Sequence, residues 1–250
     1  MKQLIQQCKL CQILSGAACL HYCPYQSHAL IEAAIRRFIK EDGYLSKLDV
    51  NERTQTHKLA EYIQHALPEY NVDCEYNKNL THAKELDFSR IVNAIKMFLN
   101  ERNQDIREHY SIEIIAQLRE ELTKAKPISD ESDLNNDKEA YSFLQFTRPG
   151  KRRKKYIKRV YPDIIAHLRG TNTNKIIIEA KKESNKDPKA RFFDLIKLGL
   201  FTEQNGQFGY DVGYFIELPS KRLPDKFEIK FVPNSLVPNS NVFIVKIVAI

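Results

Sequence analysis

Long apolar runs are missing from this chain. No stretch approaches the ~18 residues that a bilayer-crossing helix needs, which argues against a membrane-spanning helix. The longest candidate, 242–250 (VFIVKIVAI), is short, carries Lys246 and reads as a buried strand. Glycine is scarce, eight in 250 residues, so loops must rely on Asn and Asp for tight turns. No internal repeat is visible, which excludes a repeat architecture. Outside the first 23 residues there is one cysteine, Cys74, expected as a small core residue on a strand.

The other four cysteines, Cys8, Cys11, Cys19 and Cys23, crowd the N-terminus. Cys8 and Cys11 have a ligand-like interval, but the following gap is too short for a zinc ribbon. Incidental thiols on an N-terminal helix are expected there rather than bound zinc or a disulfide. Residues 10–20 (LCQILSGAACL) are a poor export signal, because Lys9 and the glutamines interrupt the apolar stretch. A cytoplasmic protein without membrane contact is the expectation.

What is present is positive charge: 39 Lys and Arg against 32 Asp and Glu, a net +7. That balance favours a polyanionic partner without proving one. The length suits one large domain with an insert. A Cys-rich extension over 1–27 is followed by a domain over 28–250.

An apolar stripe at Leu30, Ile31, Ala34, Ile35, Phe38 and Ile39 predicts a helix. A second helix, about 51–66, has Asp49 or Asn51 as its cap, Glu52 in its first turn and Pro68 at its close. Residues 71–77 read as a strand with Val72, Cys74 and Tyr76 on one side and Asp73 and Glu75 on the other. From 80 to about 126, Leu86, Ile91, Ile95, Phe98 and Leu99, then Ile114, Ile115, Leu118 and Leu122, predict two helices of an insert extending to about 150. Residues 127–139 are acidic, polar and without an apolar period. The C-terminal half reads as an apolar hairpin over 160–181, a helix over 187–202, a strand over 210–218 and the strand at the C-terminus. The order implies an α/β core with a central mixed sheet flanked by helices.

The hairpin carries the chemistry. Tyr161-Pro162-Asp163 opens one apolar strand, and Glu179-Ala180-Lys181-Lys182 closes the next. Alternation puts Glu179 and Lys181 on one face, ~7 Å apart along the backbone, with Asp163 on the paired strand. Two carboxylates and a backbone carbonyl, Ala180, suit Mg²⁺, which keeps several waters and few protein ligands. A lysine beside them can orient or deprotonate a water. The bland alternatives are a strand cap for Asp163 and an edge-strand ion pair for Glu179 and Lys181.

Just upstream, Lys151, Arg152, Arg153, Lys154, Lys155, Lys158 and Arg159 put seven cations in nine residues. A solvated loop is the ordinary reading of such a run. Next to an acidic site it suits phosphate contact. Asp194 and Lys197, three apart on the later helix, read as a surface pair or as residues aimed at the site, with the surface favoured.

Residues 160–181, VYPDIIAHLRGTNTNKIIIEAK, resemble the core motif of the PD-(D/E)XK nuclease superfamily, the restriction-endonuclease-like fold. Residues 51–79 are similar to the acidic helix and first strand of a group of small prokaryotic members, and DLIKLGLFT and YDVGYFIEL to their closing helix and strand. The resemblance implies that Asp163, Glu179 and Lys181 form the metal-and-lysine triad. It also implies an added acid from the first core helix, for which Glu52 stands at the matching place. Glu75 competes for that role, with Lys182 as a supporting neighbour, and Glu52 alone could simply favour its helix N-terminus. The implied protein is a Mg²⁺-dependent deoxyribonuclease, with Mn²⁺ as a substitute and homodimeric action common among such enzymes. RNA as substrate, or a binding module that does not cleave, remains open because fold does not fix function.

Overall fold

The structure is a computed structural model that describes residues 24–79, 82–87, 90–91, 157–185, 187–234, 237 and 239–250. Two helices lead into the sheet. Helix α1 (Pro24–Asp42) buries Ile31, Ala34, Ile35 and Phe38, the stripe the sequence predicts. A single-turn helix α2 (Tyr44–Lys47) links it to α3 (Glu52–Ala66). Asn51 caps α3: its side chain accepts from the Thr54 N–H at 2.8 Å. Leu59, Ala60 and Ile63 of α3 face α1 and the sheet.

The strands are β1 (Asn71–Cys74), β2 (Lys78–Asn79), β3 (His82–Ala83), β4 (Glu85–Asp87), β5 (Ile157–Arg159), β6 (Ile164–His167), β7 (Asn174–Lys182), β8 (Tyr210–Leu218), β9 (Phe227–Asn234) and β10 (Val242–Ala249). Helix α4 (Pro188–Thr202) lies between β7 and β8. Six strands form a mixed open sheet in the order β1-β6-β7-β8-β10-β9. β6 runs antiparallel to β1 and to β7, whereas β7, β8 and β10 are mutually parallel along the ladder, and β9 closes the edge antiparallel to β10. Parallel neighbours need a long crossover, and α4 supplies the one from β7 to β8.

Both faces of the sheet are covered, so its central strands are apolar on both sides. Ile176, Ile178 and Ala180 of β7 pack with α1 and α3, and Ile177 packs with Phe192, Leu195, Ile196 and Leu198 of α4. Glu179 and Lys181 have the parity of Ile177 and therefore turn toward the α4 layer. β7 is central, which removes the edge-strand reading of that pair.

Two expectations need correction. The strand from residue 71 stops at Cys74 rather than 77, because Glu75 adopts φ +51°. That left-handed residue breaks the alternation. Val72 and Cys74 pack with the α1/α3 layer, whereas Tyr76 crosses to the α4 side. The helix expected around Leu86 is also absent there: residues 82–87 form short strands, and β4 pairs with β5. Residues 90 and 91 are helical, and the remainder of the expected insert lies outside the described residues, as do the N-terminal cysteines Cys8, Cys11, Cys19 and Cys23. Among the described residues no helix is long and apolar enough to cross a membrane.

Candidate active site

The start of β6 and the end of β7 meet where the last ladder pair is Ile164 with Ile178. One step beyond that pair, Asp163 takes over from the backbone: its Oδ2 accepts from the Ala180 N–H at 2.8 Å. The Glu75 N–H in turn donates to the Asp163 carbonyl at 3.2 Å. Asp163 is thereby pinned from both neighbouring strands. Burial pushes its carboxyl above the usual range, and Lys181 pulls the other way.

Glu179 lies deeper, 1% exposed. Its Oε2 accepts from Lys197 Nζ at 2.8 Å, and its Oε1 is buried with no hydrogen-bond partner among the described residues. Burial drives this carboxyl well above its ordinary value, and the charges of Asp163 and Asp194 add to that against Lys197. An orphaned carboxylate oxygen in a dry site costs about 1–3 kcal/mol unless something else binds it.

Lys181 stands among carboxylates. Its Nζ is 3.2 Å from Glu52 Oε1, 3.3 Å from Asp194 Oδ2 and 3.9 Å from Asp163 Oδ2. Burial lowers its pKa, but Asp194, Asp163, Glu179 and Glu52 outweigh burial and hold it above the ordinary lysine value. The ammonium form is strongly retained. Glu52 arrives from the first turn of α3, on the opposite layer, and its second oxygen accepts from the Lys182 N–H at 2.9 Å. The Lys182 side chain reaches back to the Asp49 carboxylate and to the carbonyls of Asp49 and Val50, tying β7 to the loop before α3.

Asp194 and Lys197 are not a surface pair. They are 7% and 6% exposed, with Lys197 Nζ 3.0 Å from Asp194 Oδ1. Burial raises the Asp194 carboxyl, but Lys197 and Lys181 outweigh it and hold it below the usual range. Lys197 is pulled down by burial, while Glu179 and Asp194 hold it well above a free lysine. The result is an alternating chain: Glu52, Lys181, Asp194, Lys197, Glu179. The signal was legible in the residues around them. Phe192, Phe193, Leu195, Ile196 and Leu198 leave α4 without a polar face for Asp194 and Lys197 to occupy.

The structure thus brings Asp163, Glu179, Lys181 and Glu52 together and adds Asp194 and Lys197. Glu75 does not join them: its side chain pairs with Arg53 at 2.7 Å, near solvent, and only its backbone supports the site. Lys158 and Arg159 lie on β5, and Lys151, Arg152, Arg153, Lys154 and Lys155 lie outside the described residues. A groove of about 450 Å³ runs between α3 and β1, lined by His57, Glu61, His65 and Cys74 among others, away from the acidic cluster.

A divalent ion fits the donor set. With all four carboxyls ionised, as ion binding requires, four carboxylates face two ammoniums, an excess of two negative charges, and among the described residues no donor reaches the buried Glu179 Oε1. Asp163 and Glu179, with the carbonyl of Ala180 next to Glu179 in sequence, are hard oxygen donors suited to Mg²⁺ or Mn²⁺. Among the described residues no three His, Cys, Asp or Glu side chains form a group able to hold an ion by themselves. No family model, curated protein or solved structure matches the chain.

Proposed function

We propose that this chain is a metal-dependent nuclease of the restriction-endonuclease-like fold that hydrolyses phosphodiester bonds in DNA. The observation that carries the reading is the convergence of Asp163, Glu179 and Lys181 at one sheet end, with Glu179 Oε1 buried and unsatisfied. The six-stranded mixed sheet with helices on both faces is compatible with that fold.

Asp163, Glu179 and the Ala180 carbonyl would hold Mg²⁺ or Mn²⁺. A bound ion of this kind neutralises phosphoryl oxygens and acidifies a coordinated water. Lys181 Nζ, kept charged by its carboxylate neighbours, acts as a donor: it orients the attacking water and offsets charge on the phosphoryl group. It is a poor proton acceptor in that setting, so orientation is favoured over deprotonation. Glu52 and Asp194 restrain the ammonium from two layers of the fold. Lys197 fixes Glu179 and keeps both oxygens from turning freely. The cationic run 151–159 would contact phosphates along the substrate.

The test is incubation of purified protein with plasmid DNA, single-stranded DNA and structured RNA, with Mg²⁺, Mn²⁺ or EDTA. Cleavage of DNA that EDTA stops, and that Glu179→Gln and Lys181→Ala both abolish, is expected. No cleavage of any substrate with any metal sinks the reading. Preferential RNA cleavage reassigns the substrate. A second reading, a non-catalytic nucleic-acid-binding module, draws on one specific observation: the lysines already pair with half of the carboxylate oxygens.

A further inference from the structure

We infer that the four carboxylates divide into two pairs with separate work. Asp163 and Glu179 receive a single divalent cation, whereas Glu52 and Asp194 are positioning residues that hold Lys181. The inference rests on the metal-dependent reading of the site and specifies its internal design.

The argument is a count of oxygens. Both oxygens of Asp194 are taken, Oδ1 by Lys197 at 3.0 Å and Oδ2 by Lys181 at 3.3 Å. Both oxygens of Glu52 are taken, Oε1 by Lys181 at 3.2 Å and Oε2 by the Lys182 N–H at 2.9 Å. Glu179 has Oε2 engaged by Lys197 and Oε1 bare. Asp163 has Oδ2 on the Ala180 N–H, and among the described residues nothing donates to Oδ1. One oxygen each on Asp163 and Glu179 is therefore open; Asp163 lies one residue before β6, and Glu179 lies near the end of the paired strand β7.

Charge gives the same division. The excess of two negative charges matches one divalent ion. A second ion beside Asp194 would face two buried ammoniums, and repulsion between unlike sites of one sign is severe in a poorly solvated setting. Recruiting Asp194 or Glu52 as a ligand would also take from Lys181 one of its carboxylate partners and weaken the compensation of a largely buried charge.

Lys181 needs this tethering because a lysine side chain is long and rotamer-rich. Asp194 restrains it from α4, and Glu52 from α3. The donor is thereby set in place before substrate arrives, which lowers the cost of reaching the reactive arrangement. The lysine-holding acids thus act on the rate of the bound complex, and the ion-holding acids on occupancy.

The experiment is metal titration of the full chain without nucleic acid, by calorimetry with Mg²⁺ and by Mn²⁺ electron paramagnetic resonance, on the parent, Asp163→Asn, Glu179→Gln, Glu52→Gln and Asp194→Asn. Thermal melts followed by circular dichroism establish that each variant is folded. One ion per chain is expected. Asp163→Asn and Glu179→Gln weaken binding by about 10–100-fold, and Glu52→Gln and Asp194→Asn change it less than about threefold. In cleavage assays Asp194→Asn lowers kcat with KM and the half-saturating Mn²⁺ concentration unchanged, and Asp194→Glu recovers part of the loss. Two ions per chain, or equal loss of ion binding in folded Asp194→Asn and Glu179→Gln, overturns the division. Binding of no ion to the folded parent overturns it too. An ion that binds as described to a chain that cuts nothing supports the division and defeats the nuclease reading.

Discussion

Two lysines are more than nine-tenths buried among the described residues, and they sit at opposite ends of the β7–β8 pair. Lys197 lies at the Glu179 end, between two carboxylates. Lys84 lies at the Tyr210 end, with no carboxylate in contact among the described residues. Its Nζ donates to the carbonyls of Tyr76 and Lys78 and sits 4.9 Å over the Tyr76 ring and 5.9 Å over the Tyr210 ring. Burial is comparable, yet the outcomes diverge. Lys197 is held above the ordinary lysine value by its acids, whereas desolvation brings Lys84 down to about 8. Burial alone lowers a lysine's pKa; acids buried with it reverse the sign of the shift. The site end is thus an investment in charge, and the other end is structural.

The largest effect that could break this contrast is on catalysis. Lys181→Ala and Glu179→Gln are expected to reduce DNA cleavage by about 100–1000-fold each, the range for losing one preorganised charge-stabilising group, in single-turnover assays. If cleavage survives both, the two ends of the sheet do not differ in function. Next comes stability. Lys197→Met leaves Glu179 and Asp194 without their shared partner and should cost about 3–5 kcal/mol. Lys84→Met leaves two carbonyls less well satisfied and should cost about 1–2 kcal/mol. Urea unfolding of both variants measures the pair, and equal losses would erase the distinction.

Gly199 sharpens the comparison from the side of α4. A Cβ there would sit 2.4 Å from Val237 Cγ2. Gly199→Ala should therefore cost about 1–3 kcal/mol and shift the helix that delivers Asp194 and Lys197, with activity falling more than at an overpacked position remote from the site.

The smallest effect is in pH dependence. Lys84 has a folded pKa of about 8, below its unfolded value of 10.5. Between those values the unfolded chain binds the extra proton, so the parent gains stability relative to Lys84→Met as pH rises from 8 to 10.5. The deficit is fully present below pH 8. Denaturation of the two proteins across that interval reads the slope, and parallel curves would show that folding does not lower the Lys84 pKa.

How much of this was readable in the residues depended on how local each signal was. Asp163, Glu179 and Lys181 lie on one hairpin, where strand alternation fixes their relation, and the Asn51 cap announces α3. Glu52 is 129 residues from Lys181, and no spacing rule joins them; the family resemblance pointed to it. Asp194 and Lys197 read as a surface pair because an i, i+3 pair is usually solvated, whereas the apolar residues around them on α4 bury it. The strand turned coil at Glu75 because a single left-handed residue resets the parity of everything after it. Leu86 fits a helical stripe equally well as a short strand, and only its pairing with Lys158 of β5 decides between them. The edge strand β9 gives no clear signal in the residues, since Lys230, Pro233 and Asn234 dilute its apolar alternation.

The alternating chain from Glu52 to Glu179 has a kinetic consequence. Its members come from α3, β7 and α4, and the chain between Glu52 and Lys181 must close a long loop before the charges meet. Their desolvation belongs to the last stage of assembly, after the apolar layers have docked. Substitutions there should leave the folding rate nearly unchanged and appear almost wholly as faster unfolding. The same charges that the proposed chemistry would use would then act as a latch on the finished fold, setting how long each molecule stays folded.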